Sequence, residues 1–510
     1  MKQRQKSALI LDCTLRDGGY YTNWDFDEHL VDTYLKAMNN LPIDIIEIGY
    51  RSPAKEVYAG AHFYLPDFLI KSIKTRTDKN LAIILNEKDV KASDVKELLK
   101  PCKNKIKLVR LAIAPQNFDR GIELAAKVKE LGFEIAFNLM YASKWEDGFP
   151  NISQIKSLNE FCDYFYVVDS YGGLFPKDVN RIFNYLKAEL KIALGFHGHN
   201  NLEMALANTL EAANCGADIL DATIDGMGRG AGNLKTELLL SVLYQRRKID
   251  VNFDILHKVR ETFLILKPKY NWGTNLPYMV SGSFSLPQNK VMDQVNKRYI
   301  SLNNIINEVT PNKKKSTSKS NFSVFKPSKE TSEVLVVGGG NSVEIHKTAI
   351  REFLKTNPSL PVILASSKNS NVFKSLNNPT IHLIPGKELQ RLKDKISQEE
   401  LQKKILISPP RLKSAEDFEN TSFYKLPEER TYYFPDSVTE YCLVVAEIFK
   451  AKKIFISGYD GYGNLLNKAQ QELFEENERV FRHYQSENFE ITALTPSEYN
   501  IEKSSIYSFL

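Results

Sequence analysis

The sequence predicts an α/β protein: an N-terminal (β/α)8 TIM barrel with a helical extension, then a C-terminal Rossmann-like α/β domain. Three observations predict it. Short, continuously apolar runs alternate with helical patterns up to about residue 230, which is how parallel strands covered by helices read. Polar residues recur at the C-terminal ends of those runs, where barrels carry their chemistry. A lysine-rich polar interval then precedes a second series of strand-like runs, opened by a glycine-rich turn.

The strands of the first half are expected at 8–13, 43–49, 81–85, 106–113, 134–140, 164–168, 192–196 and 219–224. Helical patterns lie between them, for example at 119–131 and at 202–214, the latter closed by Gly216. Eight such units fill one closed barrel, and an open doubly wound sheet is the alternative. Arg16 and Asp17 follow the first strand, and Glu47 and Arg51 lie on or after the second. Asn86 ends the third, Arg110 sits in the fourth, Asn138 in the fifth and Asp169 in the sixth. His197 and His199 end the seventh, while Asp221, Thr223 and Asp225 line or follow the eighth. Any one of these is explained by packing, but a ring of them around one mouth is not.

Alternation along a strand points His197 and His199 to one face, and Gly198 between them adds no bulk. Two imidazoles joined by a carboxylate such as Asp17 make an open site for a divalent cation. An H-x-H pair by itself is a weak signal. Arg16 beside that carboxylate is placed to hold an enolate oxygen. The combination points to metal-dependent carbon–carbon bond chemistry.

Leu11-Asp-Cys-Thr-Leu-Arg-Asp-Gly-Gly19 and Gly195-Phe-His-Gly-His-Asn-Asn-Leu202 together carry a resemblance. Roughly residues 7–300 resemble the barrel metallolyases with a D-x-T-L-R-D-G signature. These include hydroxymethylglutaryl-CoA lyase, the isopropylmalate-synthase type of condensing enzyme and 4-hydroxy-2-oxovalerate aldolase. His199-Asn-Asn, and the glycine-rich Asp225-Gly-Met-Gly-Arg-Gly-Ala-Gly-Asn233, are most similar to the aldolase branch. The resemblance implies that Asp17, His197 and His199 bind the metal and that Arg16 stabilises the enolate oxygen of a 2-oxo acid. Asn233 corresponds to a ligand in some relatives and to a nearby polar group in others. Glu47, Arg110, Asn138 and Asp169 are the expected substrate contacts. Mixed N/O ligation suits Mn2+ first, with Mg2+, Co2+ or Zn2+ as alternatives. The aldolases commonly carry a histidine three residues after the metal-binding aspartate, and here that position is Tyr20. A tyrosine with its usual pKa near 10 is a poor base at neutral pH, so Tyr20 is expected to relay a proton or to orient the substrate's 4-hydroxyl. His29 and His62 are alternatives on chemistry alone.

The barrel domain is expected to span 1–245 and its helical extension 246–309. Tyr278, within 275–282, is a further candidate substrate contact, with packing as its other reading. Residues 310–332 read as a flexible linker. The run of basic residues there is too short, on a chain of net charge +6, to argue for a nucleic-acid arm.

A second domain is expected at 333–510. Val334-Leu-Val-Val-Gly-Gly-Gly-Asn-Ser342 is a buried strand entering a tight turn, with a helix at 342–355. Amides of Gly338, Gly339, Gly340, Asn341 and Ser342 there could cradle a phosphate, or the turn could simply join strand to helix. Further strands are expected at 362–365, 381–384, 405–407 and 453–457. The glycine turn, the stretch Asp436-Ser-Val-Thr-Glu-Tyr-Cys442 and the run to Asp460 resemble segments of bacterial sialyltransferases and a related surface-glycosylation family. That resemblance implies a nucleotide or nucleotide-sugar site that includes Asp460. It leaves three readings: an aldolase joined to a nucleotide-sugar-binding domain, a C-terminal glycosyltransferase on a barrel scaffold, or an aldolase with a non-catalytic binding module. A surface-sugar pathway is the expected setting. Cys442, within an apolar helical pattern, argues against the cysteine-dependent dehydrogenase that partners related aldolases.

With 510 residues, 43% hydrophobic and 25% charged, the chain supports two or three globular domains. Five scattered cysteines suit a reducing compartment rather than a disulfide framework. The run 8–11 is too short for a signal peptide, and no stretch approaches a membrane span. The expectation is a cytoplasmic enzyme, with a homo-oligomer left open, taking a small 2-oxo acid and an aldehyde as partners.

Overall fold

A computed structural model describes residues 8–147, 152–247, 249–288, 291, 322–386, 388–409, 422–427, 429–434, 437–463 and 468–510. The chain divides into two compact units, the first reaching Asp293 and the second holding every described residue from 322 onward. In the first unit eight strands close a barrel. They are β1 Leu9–Asp12, β2 Ile45–Tyr50, β3 Asn80–Asn86, β4 Leu108–Ile113, β5 Glu134–Leu139, β6 Tyr164–Asp169, β7 Ala193–Gly198 and β8 Ile219–Ala222. All neighbours are parallel, and β1 pairs with both β2 and β8, which closes the ring. The closed barrel, not the open sheet, is the arrangement adopted.

Strand alternation sorts two cores. Outward residues such as Ile46, Ile83, Val109, Ile135 and Phe165 pack against the surrounding helices. Inward residues Leu11, Ile45, Ala82, Leu108, Ala136, Tyr166 and Ile219 fill the interior. One step of two residues further along several strands, the inward row changes chemistry. Ile45 gives way to Glu47, Leu108 to Arg110, Ala136 to Asn138, Gly195 to His197 and Ile219 to Asp221, all buried. The apolar floor thus supports a polar layer at the C-terminal mouth, as barrel stacking requires. Glycine at 195 is dictated by this layering, because a Cβ there would lie 2.6 Å from the Tyr166 ring.

After β8 the chain adds the helices Phe253–Leu264, Lys267–Tyr270 and Leu276–Ser283. Much of the rest of 246–309 lies outside the described residues, as do residues 310–321 of the expected linker. The remainder of that linker is structured. Phe325 is buried against Phe449, and Val324 bridges to Lys425.

The second unit is an eight-stranded sheet in the order β13-β12-β11-β10-β9-β14-β15-β16, every pair parallel. The strands are β9 Glu333–Val337, β10 Val362–Leu364, β11 Thr380–Leu383, β12 Ile405–Ser408, β13 Ser422–Lys425, β14 Lys453–Ser457, β15 Glu490–Ala493 and β16 Glu502–Lys503. Its order reverses between β9 and β14, the switch point of a doubly wound sheet. Asp436 lies outside the described residues, but the helix it precedes, Val438–Ile448, is buried over most of its surface and buries Cys442. Among the described residues no helix is long and apolar enough to cross a membrane.

Replacing Gly195 by alanine should press a methyl group into Tyr166 and cost about 1–3 kcal/mol in urea unfolding. A loss within about 0.5 kcal/mol would show that the ring gives way and that the floor is not tightly packed.

Candidate active site at the barrel mouth

Asp17 arrives on a helical turn, Thr14–Asp17, that follows β1 directly, while His197 ends β7 and His199 follows it. One ligand atom from each of these residues lies within 4.8 Å of the others, and all three residues are buried. Each imidazole is turned by an acceptor on its Nδ1. His197 Nδ1 lies 2.9 Å from Asp221 Oδ2, and His199 Nδ1 lies 2.9 Å from the Asp169 carbonyl oxygen. That leaves Nε2 of both rings uncommitted, with His197 Nε2 3.7 Å from Asp17 Oδ2. Asn233 comes in on a bridge between its backbone and that of His199. It donates through Nδ2 to Asp17, while its buried Oδ1 has no partner. An orphaned amide oxygen beside a carboxylate and two free imidazole nitrogens fits a divalent cation with mixed N/O ligands.

A second trio, Cys13, His197 and Asp221, also meets within 4.8 Å but shares His197. Burial pushes the Cys13 thiol up, and its sulfur donates to the Ala222 carbonyl oxygen, so it is the poorer ligand.

Below this group runs a chain of buried charges. Arg16 donates from Nη1 to Asp17 Oδ1 at 2.6 Å and from Nε to Glu47 Oε2 at 2.8 Å. The same Glu47 oxygen accepts from Arg110 Nη1 at 3.0 Å, and Arg110 Nη2 donates to Asp221 Oδ2 at 2.5 Å. Arg110 also lies over the Tyr166 ring, 4.4 Å from its centroid. With its amide oxygen turned to Arg110, Asn138 accepts from Nε at 3.2 Å and from Nη2 at 2.7 Å. Asp17, Glu47 and Asp221 set three carboxylates against the two guanidiniums. A cation at the ligand atoms would balance the surplus negative charge.

Burial pushes the Asp17 carboxyl up, but Arg16, His197, His199 and the Asn233 bond outweigh it and hold it well below the usual carboxylate range. Burial likewise works against Asp221, and Arg110 and His197 reverse it. His199 is brought down to about 3, by burial first and by neighbouring His197 next. Asp169 is pushed up to about 6 by burial, against the amides of Leu174, Gly173 and Gly172.

A cavity of about 250 Å³ opens above, lined by Arg16, Asp17, Tyr20, Asn138, His197 and His199 among others. Tyr20 faces Tyr50, with 3.1 Å between their hydroxyl oxygens. Glu47, Arg110 and Asp169 do not line the cavity; they lie beneath it, holding Arg16, Asp221 and the turn after β6. Tyr278 is buried away from the lining, its ring close to Gly230. His62 is buried with Nδ1 2.8 Å from the Ile48 carbonyl oxygen, and His29 is exposed. The lining also contains residues not singled out in the sequence, Tyr50 and Arg229 among them. Nothing in their spacing distinguishes them; only the closed ring brings them to the mouth.

In the second unit, Asp460 reaches back to the glycine turn. Its carboxylate accepts from the Ser342 amide at 2.8 Å and from the Ser342 hydroxyl. Gly338 and Gly340 donate to Ser457 and Gly458 carbonyl oxygens at 2.8 and 2.7 Å, and Asn369 Nδ2 donates to the carbonyl oxygens of both glycines. A Cβ at Gly338 would lie 2.5 Å from the Gly458 oxygen, so here glycine serves close backbone approach. The Ser342 amide considered for a phosphate is taken up by the chain itself.

Residues 8–263, about half of the chain, match the profile of the HMGL-like family. The chain is 30% identical over 280 residues to the 4-hydroxy-2-oxovalerate aldolase of Pelotomaculum thermopropionicum, a match covering 51% of this chain and 76% of the relative. It is 27% identical over 288 residues to the oxaloacetate decarboxylase of Mycobacterium tuberculosis, covering 56% of this chain and 84% of that protein. Among solved structures, it is similar to the N-terminal domain of a provisionally assigned aldolase from Bacteroides vulgatus. That match has 47% identity, a TM-score of 0.55, and covers 56% of this chain and 96% of the other.

The lowered His199 pKa has a signed consequence. An unfolded chain takes a proton on this ring below 6.5, and the folded protein refuses it down to about 3. Stability of the metal-free protein therefore drops on this account as pH falls from 6.5 towards 3 and is level above 6.5. Asp169 acts oppositely between 3.8 and about 6, because the folded state keeps a proton that the unfolded chain releases. Comparing wild type with His199→Asn by urea unfolding, in chelator, cancels the Asp169 contribution. The difference should grow in favour of wild type as pH rises through that window and then level off. A difference independent of pH would mean that the folded ring accepts the proton.

Proposed function

The chain belongs to the HMGL-like family through residues 8–263, and from that premise we propose how its aldolase-type lyase chemistry is built. The reading is a divalent-metal-dependent aldolase that cleaves or forms a 4-hydroxy-2-oxo acid through the enolate of a pyruvate-type 2-oxo acid. The observation that carries it is the convergence of Asp17, His197, His199 and the unpartnered Asn233 Oδ1 beside Arg16. Those four residues would hold the cation, with Mn2+ first among candidates. When bound, a divalent cation supplies Lewis acidity to the keto and carboxylate oxygens of the 2-oxo acid.

The rest falls to the chain's own side chains. Arg16 is fixed by Asp17 and Glu47, so its charge is in place before the enolate oxygen develops its own. Burial would ease a proton off Arg16, yet those two carboxylates hold it on, keeping the guanidinium charged throughout. Burial and then Tyr20 push the Tyr50 hydroxyl well above the ordinary tyrosine range, so Tyr50 keeps its proton and can donate it to Tyr20. Tyr20's own O–H is then free to point into the cavity. In the cleavage direction the proton of the 4-hydroxyl leaves by way of Tyr20 and water. The C3–C4 bond breaks, its electron pair enters the enolate, and the aldehyde departs. Protonation at C3 completes the pyruvate-type acid. Condensation runs the same steps backward, with Tyr20 donating to the new alkoxide.

Protein stripped of metal, reloaded with Mn2+ and given racemic 4-hydroxy-2-oxovalerate should release pyruvate, and His199→Ala should not. Failure of wild type to bind any divalent ion would overturn the reading. Tyr20→Phe should bind metal normally while turnover falls by about 10²–10⁴-fold, the usual contribution of a positioned acid or base. Unchanged turnover would remove Tyr20 from the proton path.

A further inference from the structure

Arg229 is a cation at the cavity that the aldolase reading leaves without a role. Its side chain lines the cavity together with Asp17, Tyr20 and His199. The guanidinium carbon lies over the Tyr20 ring, 5.1 Å from the centroid. Among the described residues it meets no carboxylate, and its Nε is buried without a hydrogen-bond partner. The side chain is half-buried, so the cost of burial falls on Nε alone, and the guanidinium keeps donors for an acceptor that enters the cavity.

The segment that carries it is held from several sides. The Gly230 carbonyl oxygen accepts from the Tyr21 hydroxyl at 3.1 Å, and the backbone of Asn233 bridges to His199. Gly230 itself sits at φ 65°, a conformation that disfavours other residues. The backbone that carries the guanidinium is thus set by the fold, and the Tyr20 ring is the surface on which the side chain rests. The other charges at the cavity do not answer it. Arg16 and Asp17 are committed to each other, and Glu87 accepts from Asn117 Nδ2 at 2.9 Å and faces Arg120 at 3.8 Å. Lys88 adds a second lining cation with no carboxylate partner among the described residues. The cavity wall therefore carries, besides the committed Arg16, an arginine with no carboxylate partner among the described residues, close enough to His199 to act on it, and an exposed lysine.

We propose that Arg229 is the specificity-determining residue for the aldehyde: it binds a carboxylate carried at the end of the aldehyde away from the carbonyl. A planar fork matches a carboxylate with two parallel hydrogen bonds. A cavity of about 250 Å³ lies at the small end of ligand pockets, which suits a short acid-bearing aldehyde better than a phosphorylated sugar chain. The inference rests on the aldolase reading for the identity of the reacting partner. The bond chemistry is unchanged: C3 of the enolate attacks the aldehyde carbon, and the carbonyl electrons become an alkoxide that takes a proton.

The test uses the full-length, Mn2+-loaded protein. Pyruvate consumption is measured with succinate semialdehyde, with pentanal as its uncharged counterpart, and with glycolaldehyde phosphate. Wild type should favour succinate semialdehyde over pentanal by about 10–100-fold in kcat/KM, the range of a hydrogen bond to a charged group. Arg229→Gln should erase that ratio mainly through KM, and Arg229→Lys should retain part of it. A ratio near one in wild type, or one that survives in Arg229→Gln, overturns the proposal, and a preference for the phosphate overturns the carboxylate assignment. Two further readouts separate this from failure of the aldolase reading. Exchange of the pyruvate methyl protons in D2O reports enolate formation with no aldehyde present, so exchange without a carboxylate preference sinks only the proposal. Should exchange also be absent, calorimetry with 2-oxoglutarate against 2-oxohexanoate decides. Tighter binding of the diacid in wild type, lost in Arg229→Gln, supports Arg229 as a carboxylate receptor, and equal binding overturns it.

Discussion

The mouth of this barrel depends on one oxygen atom of Glu47. It accepts at once from Arg16, which follows β1, and from Arg110 on β4. Arg110 passes the connection to Asp221 on β8, and Asp221 passes it to His197 on β7. A continuous run of buried charge therefore crosses the interior and orients a guanidinium at one end and an imidazole at the other. Taking such groups from water costs several kcal/mol per ion, and removing one member leaves another uncompensated. Large apolar cores around the barrel sustain that cost. The run is accordingly a device for position more than for stability.

Position is what the proposed chemistry needs. Charges that develop on an enolate gain most from dipoles and cations that do not have to move to meet them. The two histidines are aimed by partners that are themselves fixed, one a carboxylate held by Arg110 and the other a backbone carbonyl. Such outer partners set which ring nitrogen faces inward and tune its basicity.

Much of this was legible in the residues because barrels read simply. Continuous apolar runs located all eight strands of the first unit, and the rule that chemistry sits at strand ends drew attention to Arg16, Asp17, His197 and His199. What strand position does not encode is depth. Glu47, Arg110 and Asp169 alternate correctly for the interior, yet depth along the barrel axis places them under the cavity instead of on its wall. Arg229 and Tyr50 reach the wall through ring closure, which no local pattern records. In the second unit β13, β15 and β16 were not anticipated. They are short, and Ser422–Lys425, Glu490–Ala493 and Glu502–Lys503 carry too few apolar residues to stand out.

The second unit has its own lesson in the contact between Asp460 and Ser342. The carboxylate is tethered to the same folded chain, so its effective molarity at that amide does not change with dilution. Any free anion is in competition with it, and linked groups of this kind commonly behave as if present at millimolar levels or above. Ser342 is in this sense already liganded, by a group that the chain carries with it wherever it goes.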